Sequence, residues 1–294
     1  MNTALKEFKE YLEYEKKYPL NTVNSYISDI NFFLNYLSSI NKNINQVNKE
    51  VIRSYLKVLS DLKYKSSTIA RNLSSLRCYF DYLLVNNYVK NNVFKLISNP
   101  KKEKKLPNFL TYQEFEDMID SIDSNNIYAK RNKLILELLL ASGVRVSELV
   151  NIKLKDIDIN NKTIKVMGKG SKERIVYFNL HTKESLINYL ENDRLKLLKC
   201  KKSDYLLINN KSTKLTREGV FEIINNIAKK ANIKHHLSPH VLRHTFATFL
   251  LNEGADIRSV QTLLGHESLS TTQIYTHITS DVLKSEYLKR FPRK

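Results

Sequence analysis

Apolar residues recur along the first third of the chain at the three-and-four spacing of amphipathic helices. Val23, Tyr26, Ile27, Ile30, Leu34 and Leu37 form one such face, and Ile52, Tyr55, Leu56 and Leu59 a second. A third runs through Ile69, Leu73, Leu76, Phe80 and Leu83, with Ser66 or Ser67 placed to cap its start. The stretch to about Ser98 therefore reads as four or five helices forming a first domain, residues 1–98. The polar side of the third helix carries Thr68, Arg71, Ser75 and Arg77. Arginine can read guanine edges and hydroxyls can bind phosphate, so this face suits a nucleic-acid groove. Taken alone it reads equally well as a solvated face.

The pattern then breaks. Pro100 and Pro107 flank the run Lys101-Lys102-Glu103-Lys104-Lys105, and residues 99–110 read as an extended basic linker. A second domain, residues 111–294, opens on a capping box, Thr111 with Glu114 three positions on. A long apolar helix follows and ends at Gly143. From Leu154 to Phe178 the period drops to about two, with turn residues at Asn160-Asn161 and from Gly168 to Ser171. That stretch predicts a small antiparallel sheet. From about His181 onward the pattern predicts helix again, and no internal repeat is visible. The fold class expected is mainly α, a helical domain followed by an α-rich domain with a small antiparallel β-sheet.

Composition adds a partner. Lys and Arg number 48 against 30 Asp and Glu, a formal charge of +18 at pH 7. Such an excess repels itself in the folded state, and its usual use is binding a polyanion, with nucleic acid ahead of a membrane surface. The N-terminal stretch from Met1 to Tyr18 mixes Lys and Glu and contains no apolar signal core. The most apolar run, near Leu134 to Leu140, is interrupted by Glu137 and is too short to span a bilayer. Two cysteines, Cys78 and Cys200, fall in segments that read as helices and suggest reduced thiols rather than a disulfide framework. These readings predict a cytoplasmic protein without a membrane partner.

Four segments of the second domain carry reactive residue types. In Ser142-Gly143-Val144-Arg145-Val146-Ser147-Glu148-Leu149, Arg145 follows a helix end where a new short helix begins. In Gly168-Lys169-Gly170-Ser171-Lys172-Glu173-Arg174, two glycines let a hairpin tip with Lys169 at its apex approach a ligand closely. The spacing is wrong for a nucleotide-phosphate loop, and no helix follows the lysine. In Ser238-Pro239-His240-Val241-Leu242-Arg243-His244, Ser238 caps a helix, Pro239 opens it, and His240 and Arg243 share its first turns. A helix N-terminus with His and Arg is an anion site. His240 and His244 have zinc-helix spacing, but no Glu follows His240, and His244 reads as a structural, hydrogen-bonded histidine. In the fourth segment Gly265 ends a helix, His266 follows, and Ser270 caps the next helix, which carries Tyr275, one of 17 tyrosines. Read singly, each has a bland alternative: a surface arginine, a basic turn, a core tyrosine.

Together these residue types suit one phosphate. Two arginine forks can clamp the charge on the non-bridging oxygens of a phosphodiester transition state. A tyrosine nucleophile needs help to ionise, because its ordinary pKa is about 10. A lysine on a turn can protonate a leaving oxygen. A tyrosyl ester conserves the bond energy, so religation needs no nucleotide. Asp156 and Asp158 are the nearest approach to a two-metal carboxylate site and read as structural; neither metal nor cofactor is expected.

The four segments resemble the signature boxes of tyrosine recombinases, most closely those of the Xer subgroup. The matching strings are Gly143 to Leu149, Gly168 to Arg174, Pro239 to Thr248 and Leu264 to His277. The first domain resembles that family's helical, SAM-like core-binding domain. The resemblance implies that Arg145 and Arg243 hold the scissile phosphate and that Lys169 is the general acid for the 5′ hydroxyl. It implies further that His240 assists proton removal, that His266 hydrogen-bonds a phosphate oxygen, and that Tyr275 attacks to give a 3′-phosphotyrosyl strand. Glu148 would orient its neighbours. Thr68, Arg71, Ser75, Arg77, Lys172, Arg174 and Arg217 are the candidate DNA contacts. The tail from Ser280 to Lys294, with its apolar Leu283, Tyr287 and Leu288, would be a helix donated to a neighbouring protomer.

The implied function is site-specific recombination of duplex DNA by a tetramer through a Holliday junction, resolving chromosome or plasmid dimers in step with the cell cycle. A homotetramer or a heterotetramer with a second recombinase remains open, as does a DNA translocase touching the C-terminal region. The alternative within the class is an integrase of a mobile element. Outside it stand a non-catalytic DNA-binding protein of the same fold and a type IB topoisomerase. Covalent trapping on a nicked site separates the first, and a tetramer requirement the second.

Overall fold

The computed structural model describes residues 3–100, 109–168, 173–235, 237–265, 284 and 287–291. The chain divides into two compact units, Met1–Leu106 and Pro107–Lys294.

The first unit is helical. It comprises α1 (Thr3–Glu10), a π-turn at Tyr11–Glu15, α2 (Leu20–Ser39), α3 (Lys49–Asp61), α4 (Ser66–Val85) and a 3₁₀ turn at Val93–Leu96. The apolar stripes meet in one core: Phe33 stacks edge-on against Tyr55 at 4.9 Å between ring centroids, and Phe80 tilts against Phe94 at 4.8 Å. Asn48 caps α3 by accepting from the Val51 N–H. The expected cap of α4 is displaced. Ser66 is already the first helical residue, Lys65 occupies the cap position in extended conformation, and no side chain caps the helix. The Lys65 carbonyl starts the helix by accepting from the N–H groups of Thr68 and Ile69.

The second unit is built around a helix buried on every side. It begins with α5 (Tyr112–Asp120), whose capping box closes as expected: Thr111 Oγ1 accepts from the Glu114 N–H, and the Glu114 carboxylate accepts from the Thr111 N–H. In α6 (Ala129–Ser142), Leu134, Ile135, Leu136, Leu138, Leu139 and Leu140 are all buried. Such a helix must be covered by others. α7 (Val146–Leu149) follows, then a three-stranded antiparallel sheet in the order β1 (Ile157–Asp158), β2 (Thr163–Met167), β3 (Glu173–Tyr177). Ile164 pairs with Val176 and Val166 with Arg174. Directly paired residues project to one face of a sheet, and here Ile164, Val166 and Val176 face the core.

The remaining helices are α8 (Leu180–Asn188), α9 (Arg194–Leu198), α10 (Arg217–Lys230), α11 (Pro239–Asn252) and α12 (Ile257–Leu264). Helix does not continue unbroken after His181. Lys199 and Cys200 take left-handed backbone and end α9, so Cys200 lies beyond the helix and is exposed. The next stretch crosses the core as irregular chain, bridging Lys153 to Tyr205 and Ile208 to Lys214. Arg194 holds it by donating to the carbonyls of Ser203 and Tyr205. Both cysteines are free, and no helix among the described residues is long and apolar enough to cross a membrane.

Of the tail, residues 284 and 287–291 are described. Tyr287 and Phe291 are buried in the core of their own unit, their rings 5.4 Å apart and both beside Phe246 of α11. Of the stripe, Tyr287 packs into its own unit and Leu288 is exposed. Leu283 lies outside the described residues.

Candidate active site

Three helix ends converge. Gly143 ends α6 in left-handed conformation, φ +56°. The chain then turns through buried Val144 to Arg145, which caps α7. Glu148, three residues on, is almost wholly buried. Its Oε2 accepts from the Arg145 backbone N–H at 2.8 Å, and its Oε1 accepts from Arg145 Nη1 at 2.8 Å. The same guanidinium donates through Nη2 to the Gly265 carbonyl at 2.9 Å.

Arg243 arrives from α11, whose start is the expected one: Ser238 accepts from the Val241 N–H, and Pro239 occupies the first turn. Arg243 is buried and donates through Nη1 to the Gly143 carbonyl and through Nη2 to the Leu264 carbonyl. His240, in the same first turn, is exposed. His244 is exposed too, which corrects its reading as a structural histidine.

A third arginine joins them. Arg174, on β3, donates through Nη2 to Glu148 Oε2 at 2.8 Å and through Nη1 to the Leu263 carbonyl at 2.7 Å. The sequence places it among the candidate DNA contacts. Instead its side chain is 16% exposed, against 32% for Arg145. The signal was present in the sequence, because Arg174 and core residue Val176 share one face of a strand.

The electrostatics are those of an anion site. Burial opposes ionisation of Glu148, but the Arg174 charge and the hydrogen bonds from Arg145 and Arg174 outweigh it and hold the carboxyl below its ordinary range. Arg243 is pushed down to about 10, first by burial and then by the charges of Arg145 and Arg174, with Glu148 opposing. Three guanidinium groups thus share one carboxylate, and an arriving phosphate would relieve their mutual repulsion. Among the described residues no cluster of His, Cys, Asp and Glu could hold a metal. Asp156 accepts from the Lys153 N–H and Asp158 from Asn161, so both serve turns.

Lys169, Lys172, His266 and Tyr275 lie outside the described residues. Gly265, the last described residue before His266, ends α12 at φ +62°.

The candidates of the first unit separate. Arg71 is partly exposed and donates to Asp29 at 2.6 Å. Ser75 is fully buried, within hydrogen-bond reach of Asp29 and of the Asn72 carbonyl. Arg77 donates to the carbonyls of Phe94 and Ile97. Ser75 and Arg77 are thus engaged by the fold; Asp29, Phe94 and Ile97 reach them from other parts of the chain, which helical spacing could not reveal. Thr68 is half-buried. Arg217, at the start of α10, is well exposed.

Comparison with known proteins supplies the wider setting. The phage integrase family matches residues 108–281, and its N-terminal SAM-like domain matches residues 5–87. The tyrosine recombinase XerC of Anoxybacillus flavithermus is 44% identical over 296 residues, covering 100% of this chain and 99% of its own. The XerC of Bacillus pumilus is 42% identical over 291 residues, covering 97% and 95%. The solved XerH site-specific recombinase, in a post-cleavage complex with a palindromic difH substrate, is similar with a TM-score of 0.74 and 27% identity, covering 96% of this chain and 82% of that one.

Proposed function

The chain belongs to the phage integrase family, and on that footing we propose that Tyr275 cuts and rejoins DNA at a site gripped by Arg145 and Arg243. It is a tyrosine site-specific recombinase. The observation that carries the residue roles is the convergence of two guanidinium groups from distant segments on the end of α12, the last described element before His266 and Tyr275 in the sequence.

In this reading the arginines bind the non-bridging oxygens of the scissile phosphate and stabilise the charge that builds as the attack proceeds. The Tyr275 oxygen bonds to phosphorus while the bond to the 5′ oxygen breaks. His240 assists removal of the tyrosine proton, Lys169 protonates the 5′ oxygen, and His266 hydrogen-bonds a phosphate oxygen. The products are a 3′-phosphotyrosyl strand and a free 5′ hydroxyl, and the reverse attack by a 5′ hydroxyl from the partner duplex completes exchange. Glu148 holds Arg145. No metal or nucleotide is called for.

The full-length likeness to two XerC proteins, with DNA-bound XerH as structural neighbour, supports dimer resolution on duplex recombination sites by a tetramer. The tetramer would form from this chain alone or with a second recombinase, in the cytoplasm, and a DNA translocase would act at the C-terminal region. The test is a duplex nicked beside the cleavage position, from which the cut fragment escapes and leaves protein on DNA. Wild type should accumulate a covalent complex, and Tyr275→Phe should bind the duplex but trap none. A wild-type protein that traps nothing across host terminus DNA would overturn the reading.

A further inference from the structure

The three carbonyls that end α12, Leu263, Leu264 and Gly265, each accept a hydrogen bond from a different arginine: Arg174, Arg243 and Arg145 in that order. Terminal carbonyls of a helix lack intrahelical donors, and such groups are ordinarily left to water or to a cap. Here the capping groups include both proposed phosphate-binding arginines. The third, Arg174, has no part in that grip. Its stem runs under Gly265, where an added Cβ would lie 2.9 Å from Arg174 Cδ and 3.1 Å from Nε. Its fork then spans two unlike acceptors, the Glu148 carboxylate on α7 and the end of α12.

That span has a consequence for Arg145. Glu148 Oε2 is shared between the Arg145 backbone N–H and Arg174, leaving Oε1 to face the Arg145 side chain. Without Arg174, the buried carboxylate would be neutralised by Arg145 alone and would compete with a phosphate for it. The end of α12 would also lose one of its three anchors. We propose that Arg174 is a positioning residue of the recombination reaction: its fork ties Glu148 to α12, fixing Arg145 for the phosphate and the point from which the chain runs on to Tyr275. This rests on the reading that Arg145 grips the scissile phosphate. A lysine cannot replace the fork, because one ammonium does not reproduce two planar donors aimed at separate acceptors.

The test uses the full chain and the nicked duplex, with Arg174→Lys and Arg174→Met. Single-turnover formation of the covalent complex should slow by at least about tenfold in both, since misplacing a positioned group costs rate more than binding. Affinity for intact duplex should stay within about twofold, because the side chain is largely withdrawn from the surface. In Arg174→Met the acid limb of the rate against pH should move upward, because Glu148 loses the charge that does most to keep it ionised; Arg174→Lys keeps that charge and tests the fork alone. The charged groups facing that carboxylate are Arg145 beside it, Arg174 on β3 and Arg243 on α11, with Asp156, Lys165 and Glu173 around the opening next to it. A merely structural role would lower the melting temperature without moving that limb. Should Arg174→Met fail to fold, Arg174→Lys decides. A wild-type rate in Arg174→Lys overturns the proposal, whereas a wild-type protein that traps nothing overturns the recombinase reading beneath it.

Discussion

Gly143 is the residue at which fold and site are most tightly joined, and Gly143→Ala puts a magnitude on that link. The backbone there is left-handed, which costs an ordinary residue roughly 1–2 kcal/mol. The new Cβ would also lie 2.5 Å from Phe246 Cδ1, 2.8 Å from Cε1 and 3.0 Å from Leu264 Cδ2. Phe246 cannot swing aside, since it is buried against Tyr287 and Phe291. Overpacking of that kind costs about 1–3 kcal/mol. Reduced freedom of the unfolded chain returns about 0.4–1 kcal/mol, so the net loss is roughly 2–4 kcal/mol. Gly254→Ala is the control: φ is +78°, but the new Cβ meets only the far end of Arg290, Nη1 at 2.8 Å. It should lose only the backbone part, about 1 kcal/mol. The chain has no tryptophan, so urea unfolding is best followed by circular dichroism, with the second unit's transition identified by hydrogen exchange in α6 and α11. The folded fraction of Gly143→Ala should also cleave slowly, because the displaced carbonyl is one that Arg243 holds. If the two variants unfold within about 0.5 kcal/mol of each other, the idea that a fixed Phe246 ring excludes a side chain at Gly143 is wrong.

Glu148→Gln should destabilise the second unit by roughly 1–3 kcal/mol at neutral pH, as it leaves two partly buried arginines without their counter-charge. The wild-type carboxyl is held below its ordinary value of 4.5, so its pairing stabilises the fold above that value and is lost as pH falls through the depressed one. The gap between wild type and Glu148→Gln should therefore narrow as pH falls below the ordinary value of 4.5; a gap constant with pH would contradict the pairing. Arg77→Ala should destabilise the first unit by about 1–3 kcal/mol, since the Phe94 and Ile97 carbonyls lose their donor, and should leave the salt dependence of DNA binding unchanged. Arg217→Ala should do the reverse, with stability within about 0.5 kcal/mol and a salt slope lower by about one if its exposed guanidinium meets a phosphate.

What could be read from the residues was whatever is decided within a few positions along the chain. The Thr111–Glu114 capping box, the Ser238-Pro239 start of α11, and the left-handed ends at Gly143 and Gly265 are local, and each lies where the pattern places it. What escaped is decided by partners far away. Ser75 reads as a polar-face residue until α2 brings Asp29 against it, and Arg77 as a free cation until the chain folds Phe94 and Ile97 under its fork. The break after α9 rests on left-handed Lys199 and Cys200, neither of which announces itself as a glycine would. Arg174 is different, because the strand alternation through Val176 already pointed inward and the expectation of a DNA contact ran against it.

The end of α12 raises an apparent contradiction, since a helix C-terminus carries roughly half a negative charge and should weaken an anion site. Three guanidinium groups against one carboxylate outweigh that half charge, so the local field still favours phosphate. What α12 contributes is direction. An arginine has five N–H donors, and Arg145 and Arg243 each commit one from each terminal nitrogen to acceptors in the protein. Their planes are thereby fixed while the other donors remain for a ligand, and aiming the forks in advance lowers the cost of reorganisation when charge develops. Two of those acceptors, the Leu264 and Gly265 carbonyls, also belong to the last described residues before the segment that carries Tyr275, so the arginines and that segment share one helix end as their point of attachment.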